Sequence, residues 1–145
     1  MAHVRQQIRE AIAARLVAVP APVYVSHLYP LDVLPAVVVH APEEELGEEP
    51  RRMGLCRQRP RLLSVEIALR AQAAEDLDAT LDDLAAAVEA ALAGDETLDG
   101  LCDALSYQGM RMELSTQVQP PVGLMRLAYL VEYQLDSGAP DQPVA

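Results

Sequence analysis

Hydrophobic positions near the start of the chain recur with the period of an α-helix. Four large apolar residues are spaced four apart, with arginines and a glutamate between them: Val4, Ile8, Ile12 and Leu16. This spacing places the apolar side chains on one face and predicts an amphipathic helix of about four turns. Pro20 and Pro22 should end it, because proline lacks the backbone N–H and disfavours helical backbone in the residue before it.

The next two segments have the composition of β-strands. Residues 23–29 and 35–41 are rich in β-branched and aromatic side chains, and residues 30–34 between them predict a turn. We therefore predict an antiparallel hairpin. Residues 63–71 alternate strictly between apolar and polar or small side chains, which predicts a strand with one buried face.

A second helix is predicted after residue 76. Its apolar stripe repeats every three or four positions and consists of Leu77, Leu81, Leu84, Val88, Ala91 and Leu92. Asp76 is the predicted N-cap and Gly94 the predicted residue after the helix. A short turn is expected at residues 97–103, with Leu98 and Leu101 facing inward.

Two more alternating segments, residues 110–118 and 125–135, predict the last strands. The element order is then α-β-β-β-α-β-β, and the predicted fold is α+β. Because short connections favour antiparallel neighbours, we expect a mainly antiparallel five-stranded sheet with both helices packed on one face. The single domain should span residues 1–136, and the proline- and glycine-rich residues 137–145 should form a flexible tail.

These patterns also predict which side chains are buried. The expected core contains Ile8, Ile12, Leu16, Val65, Ile67, Leu69, Leu81, Leu84, Val88, Leu127, Tyr129 and Val131. The opposite face of the sheet should carry the mixed set Ala68, Arg70, Arg111, Glu113, Arg126, Ala128 and Glu132. Such a mixture is typical of a face that contacts water or a partner.

Residues 42–60 show no periodicity and predict a long charged loop. An acidic block is followed there by a basic one, and the proposed interface residues are Glu43, Glu44, Glu45, Glu48, Glu49, Arg51, Arg52, Arg57, Arg59 and Arg61. Long connections in compact domains are usually functional or disordered. A docking arm could pair these blocks between neighbouring copies, and a head-to-tail contact of this kind forms a ring when its rotation closes. The alternative is a solvated, floppy hairpin.

Composition limits the partners. The chain has 145 residues, 11 arginines, no lysine and a net charge of −11, which argues against binding to phosphate backbones or anionic lipid. The longest nearly apolar stretch, residues 33–39, is far too short to span a membrane, and no secretory signal is evident. We expect a cytoplasmic protein in which Cys56 and Cys102 are reduced thiols.

Known catalytic patterns are missing from the sequence. No nucleophile elbow, dinucleotide-binding or phosphate-binding motif occurs. His27 and His40 could share a strand face, but a metal site needs a third ligand, and none is identifiable. The pair Asp82 and Asp83 lies on the polar side of the predicted helix, where solvation is the ordinary role. We therefore expect that the protein is not an enzyme and that it binds neither a cofactor nor a metal ion.

Several segments together resemble a known family. They are VRQQIREAIAARL in the first helix, LPAVVVHAPEEE entering the charged loop, LLSVEIALRAQ before DLDATLDDLAAAVEAALAGDETLDG, and the closing QGMRMELSTQVQPPVGLMRLAYLVEYQ. The chain resembles the tail terminator family of long-tailed bacteriophages and prophages, and is similar to the minor tail protein U group. The resemblance is clearest at two places, the turn at Leu98, Asp99 and Gly100 and the strand end at Glu132 and Tyr133.

This resemblance implies a structural assembly factor without catalytic residues. Such a protein joins copies of itself into a ring, expected to be a hexamer, on the end of the tail tube. It stops tube polymerisation and offers a surface to the head-tail joining protein. The implied locations are the host cytoplasm during assembly and then the virion tail. Three alternatives stay open: a related neck or tail-completion protein, an acidic inhibitor or nucleic-acid mimic, and a small-ligand enzyme.

Overall fold

Helices and strands alternate along the chain much as the sequence predicts. The computed structural model describes residues 2–25, 34–47, 60–115, 117, 120–136 and 139–144. In this part of the chain the elements are α1 (Val4–Arg15), a 3-10 turn (Leu16–Ala18), β1 (Val23–Val25), β2 (Ala36–Leu46), β3 (Arg61–Gln72), α2 (Leu77–Ala93), β4 (Ala104–Ser115), β5 (Val122–Asp136) and β6 (Ala139–Val144). The fold class is α+β, as predicted.

One mixed sheet holds the strands together. The order across the sheet is β1-β2-β3-β5-β4, and β6 pairs with the end of β5. The pairs β2–β3, β3–β5, β4–β5 and β5–β6 are antiparallel, whereas β1 and β2 are parallel. Five main strands were predicted, and β6 is an addition.

The predicted hairpin between the first two strands is wrong. Val23 lies opposite Val37 and Val25 opposite Val39, which is a parallel register. The ten residues from 26 to 35 can span about 33–36 Å when extended, far more than the roughly 10 Å length of a three-residue strand. The chain can therefore return to the starting end of β1 before it enters β2. Residues 26–33, including His27, lie outside the described residues.

The predicted boundaries of the loop and the tail also need correction. β2 continues to Leu46, and residues 43–46 pair with β3 instead of belonging to the loop. A register shift between His40 and Glu43 accommodates Pro42, which cannot donate a ladder hydrogen bond. The predicted tail contains β6, where Val144 lies opposite Gln134. The amide Nε2 of Gln7 also donates to the carbonyl of Asp141 at 2.9 Å.

β4 begins six residues before the alternation that predicted it. A bulge between Tyr107 and Gly109 breaks the period of two, so the strand starts at Ala104 although regular alternation begins only at Met110. Gly109 has a φ of +146°, a backbone angle that glycine adopts without strain. The bulge keeps Tyr107 and Met110 on the same side of the sheet.

Both helices cover one face of the sheet, as predicted. α1 packs against β1 and β2, and α2 packs against β3 and β5. All predicted core residues are buried between these layers, and none is more than 6% exposed. Tyr133, at the end of the same row on β5, is fully buried as well. The apolar periodicity thus identified the core.

The ends of α2 differ from their predicted geometry. Asp76 occupies the N-cap position with a left-handed φ of 56°, and its side chain makes no capping hydrogen bond. Its backbone carbonyl instead accepts from the N–H and hydroxyl of Thr80, at 3.0 and 3.1 Å. Gly94 has right-handed backbone angles rather than the left-handed ones common after a helix.

Removing one leucine from the face that α2 buries tests this packing. Leu84 is 4% exposed, so Leu84→Ala should lower the free energy of unfolding by about 2–5 kcal/mol through lost burial and the cavity left behind. Urea denaturation measures the change. Asp83→Ala, on the exposed side of the same helix, should shift it by no more than about 0.5 kcal/mol. Equal midpoints for Leu84→Ala and the unsubstituted protein would contradict the proposed packing.

Candidate interaction surfaces

A partly buried ionic cluster joins β2, β3, β5 and α1. The carboxylate of Glu44, whose side chain is 16% exposed, accepts from the guanidinium of Arg5 at 3.3 Å and of Arg61 at 3.5 Å. The hydroxyl of Tyr133 donates to its other oxygen. Burial, reinforced by the adjacent Glu44 carboxylate, raises the pKa of Tyr133, so the phenol stays protonated. We call these four side chains the Glu44 cluster.

The Glu44 cluster changes how the predicted interface residues are understood. Glu44 and Arg61 came from the acidic and basic blocks proposed to pair between copies, yet they pair within one chain. Glu43 and Glu45 are exposed on β2. The remaining members of the set lie outside the described residues: Glu48, Glu49, Arg51, Arg52, Arg57 and Arg59. For those residues the docking arm stays a prediction.

The face of the sheet away from the helices carries most of the predicted polar mixture, but Ala68 is buried there at 5% exposed. The cross-strand register aligns Ala68 with Arg126 and Arg126 with Arg111. Arg126 contacts Glu66 at 2.9 Å and Glu113 at 3.4 Å, which links three neighbouring strands. Exposed ion pairs of this kind contribute little to stability.

β4 presents an exposed apolar row at the border of the sheet. In the described part of the chain it pairs with β5 alone. Tyr107, Met110 and Leu114 lie on the helix side of the sheet, but their exposed fractions are 47%, 53% and 53%. We call these three side chains and the backbone between them the β4 edge. A long edge strand with exposed apolar side chains is a ready site for pairing with another chain.

Sequence reasoning missed both the Glu44 cluster and the β4 edge. The alternation of Met110, Met112 and Leu114 predicts a strand with an apolar face, but it contains no information about whether α2 covers that face. Likewise, Arg5 and Tyr133 are far from Glu44 in sequence. Only the pairing of β2, β3 and β5 and the packing of α1 on β2 bring them together.

The turn after α2 is organised around Asp95. Its carboxylate accepts from the N–H and hydroxyl of Thr97 and the N–H of Asp99, and Arg15 of α1 contacts it at 2.9 Å. Leu98 and Asp99 have φ values of 51° and 60°, so the turn needs this support. These hydrogen bonds, foremost the one from the Asp99 N–H, hold the pKa of Asp95 well below its ordinary value of 3.8.

The lowered pKa of Asp95 predicts a specific acid dependence. A carboxylate with a lowered pKa in the folded state stabilises the protein above its unfolded pKa, and this contribution is lost as the pH falls towards the folded value. Asp95→Asn should therefore destabilise the protein at pH 6 and do so less at pH 2.5, as measured by urea unfolding. Glu96→Gln is the control for loss of one charge in the same turn. An Asp95→Asn effect of equal size at both pH values would contradict this assignment.

Two other groups that could be reactive, His3 and Cys102, are held in a helix cap and in the core, respectively. His3 accepts the N–H of Arg5 through Nδ1 at the start of α1, and burial followed by nearby arginines lowers its pKa. Burial raises the pKa of Cys102 to about 11, which keeps it a thiol at neutral pH. Among the described residues no group of three or more His, Cys, Asp or Glu side chains could hold a metal ion. Neither helix in the described ranges is long and apolar enough to cross a membrane.

The fold is similar to that of a chain in a solved virus-like particle. The matching chain belongs to the solved structure "Virion of native gene transfer agent (GTA) particle". The two structures superpose with a TM-score of 0.53, and the two sequences are 18% identical. The match covers 92% of the protein described here and 92% of the matching chain. No protein-family model matches the sequence, and a search of curated proteins found no match. At this identity the likeness establishes the fold.

Proposed function

We propose that the protein is a structural component of a phage-like particle and, within it, the terminator of the tail tube. One observation carries the proposal: nearly the whole chain has the fold of a chain from the virion of a gene transfer agent. The match covers 92% of both chains, so it concerns the complete α+β fold rather than one common motif. The sequence resemblance to tail terminators supplies the more specific role.

The surfaces of the molecule suit such an assembly. A terminator must bind copies of itself and the end of the tube, which requires two or more separate contact surfaces. The β4 edge lies at one border of the sheet, where it can contact another protein such as the end of the tube, and β1 lies at the other border. Contacts that use different surfaces on each copy are heterologous, and they form a closed ring when the rotation between copies closes. Many weak contacts made together then favour binding at the tube end.

Gene deletion tests the role directly. In an inducible prophage that encodes this protein, loss of the gene should produce tails of unregulated length and tails without heads, as seen by negative-stain electron microscopy. Complementation with the unsubstituted gene should restore normal virions. Normal, infectious virions in the absence of the protein would overturn the proposal. Headless tails of normal length would instead favour the neck or tail-completion alternative.

A surface variant makes the experiment more specific. Met110→Glu combined with Leu114→Glu places two charges on the β4 edge without touching the buried core. It should fail to complement the deletion, because the apolar contact area is lost and two carboxylates are added. Val17→Glu is the control for an exposed apolar residue outside the β4 edge, since Val17 is 80% exposed and lies in the 3-10 turn after α1. Equal complementation by both variants would exclude the β4 edge from the assembly contacts.

A further inference from the structure

A small cavity lies between the end of α2 and the first half of β4. Its volume is about 270 Å³, and its lining residues are Glu89, Leu92, Ala93, Glu96, Leu105, Tyr107 and Tyr129. Its lining combines leucine and alanine side chains with two tyrosine rings and two glutamates. These rings meet edge to face, with centroids 5.6 Å apart and an angle of 71° between their planes. The cavity is continuous with the β4 edge, because Tyr107 belongs to both.

Among the described residues, the two carboxylates at this cavity have no positively charged partner. Glu89 and Glu96 are exposed, and neither forms an ion pair with a described residue. Residues 71–110 contain ten Asp or Glu residues and no Arg. The pKa of Tyr129 is raised to about 12, first by burial and then by the charge of Glu89, so that carboxylate acts on the cavity wall. The site therefore attracts a cation.

The combination of aromatic rings and carboxylates favours one cation in particular. A guanidinium is planar, stacks on aromatic faces and donates up to five hydrogen bonds in fixed directions. Tyr107 is 47% exposed and offers a ring face, and the two glutamates offer charged acceptors. An arginine side chain also has an apolar stem that can lie against Leu92 and Leu105. Lysine would match the charge but lacks the planar group.

We propose that this cavity and the β4 edge bind an extended segment of a partner protein, with an arginine of that segment in the cavity. The backbone of β4 would pair with the segment as an added strand, and the exposed side chains of Met110 and Leu114 would contact its apolar residues. A different protein is the better partner than a second copy. Two copies of a chain with a net charge of −11 repel each other at this acidic surface.

Peptide binding to the purified protein tests this proposal without any assumption about a virion. The probe is the acetylated and amidated peptide Val-Thr-Arg-Thr-Val-Thr-Val, whose arginine and valines share one face of a strand, and binding is followed by changes in amide chemical shifts of the labelled protein. We expect saturable shifts at Leu105, Tyr107 and Tyr129. The matched probe carries citrulline in place of arginine, which keeps the shape and removes the charge. It should bind about tenfold more weakly or worse, because charge-assisted hydrogen bonds are lost.

Variants of the protein separate the cavity from general acidity. Glu89→Gln with Glu96→Gln removes two charges at the cavity and should weaken binding of the arginine peptide by about tenfold. Asp82→Asn with Asp83→Asn removes two charges from exposed positions of α2 that do not line the cavity. That control should change the affinity by less than about twofold. Both double variants should unfold cooperatively, which shows that the fold is intact.

Three results would overturn the proposal. They are the absence of saturable shifts at the cavity up to millimolar peptide, equal affinity for the arginine and citrulline peptides, and equal weakening by the two double variants. The last result would mean that the peptide responds to the net charge of α2. Because the assay uses the isolated protein, it is independent of the deletion experiment. A negative result in the peptide assay does not contradict the proposed terminator role, and a negative result in the deletion experiment does not contradict the proposed binding site.

Discussion

Replacing Gly123 with valine should strongly destabilise the protein, although valine is the better strand residue. Gly123 lies on the helix side of β5, directly beneath the start of α2. A Cβ atom there would lie 2.7 Å from Cδ1 of Leu81 and 3.1 Å from Cγ of Leu77. Carbon atoms do not approach to 2.7 Å, so the leucine side chains that enclose Gly123 must repack. Overpacking of this kind typically costs about 1–3 kcal/mol, and the two further methyl groups of valine add to it.

The size of the substituent provides a graded test. Gly123→Ala should lower the free energy of unfolding by about 1–3 kcal/mol, and Gly123→Val should lower it further or leave no cooperative transition in urea. Ala128→Val is the matched control, because Ala128 is exposed on the opposite face of the same strand. It should be neutral or slightly stabilising, since β-branched residues suit strands. A Gly123→Val protein as stable as the parent would show that α2 does not pack on this part of β5.

Glu44→Ala should produce the second large effect. The substitution leaves the hydroxyl of Tyr133, a fully buried residue, without its acceptor and removes the common partner of Arg5 and Arg61. An unsatisfied buried polar group costs about 1–3 kcal/mol. We therefore expect a loss of at least that size in the free energy of unfolding at pH 7. Glu43→Ala, an exposed neighbour on β2, should change it by no more than about 0.5 kcal/mol.

A second substitution tests the proposed cause of that loss. Tyr133→Phe alone should destabilise the protein by about 1 kcal/mol, because it removes one hydrogen bond. In a Glu44→Ala protein the same change should be neutral or restore stability, since it removes the hydroxyl left without a partner. The difference between the two effects measures the coupling of the pair. Strictly additive losses would mean that the Tyr133 hydroxyl does not depend on Glu44.

Local periodicity was sufficient for the parts of the fold that bury a regular apolar face. The four-residue spacing from Val4 to Leu16 corresponds to α1, and the stripe from Leu77 to Leu92 corresponds to α2. Strict alternation also located β3 and β5, the two strands whose helix-facing sides are covered by α2. Burial imposes these patterns directly, so they are visible in one sequence.

The remaining features depend on pairing between distant segments or on interruptions of the pattern. The parallel register of Val23 with Val37 depends on the path of the chain between β1 and β2. The bulge before Gly109 shifts the alternation of β4, and the prolines of β6 hide a strand that pairs only at its ends. The Glu44 cluster and the β4 edge are products of this pairing, and therefore neither surface has a local signature.

The position of β5 has a consequence for folding during synthesis. It is nearly the last strand of the chain, yet it lies in the sheet between β3 and β4 and also pairs with β6. At about 5–20 residues per second, β3 leaves the ribosome several seconds before β5, the strand that pairs with its second edge. The growing chain therefore exposes an apolar strand edge until residue 136 has emerged. The sheet should therefore form only after β5 has been synthesised, and slow synthesis would prolong the interval in which chaperones are needed.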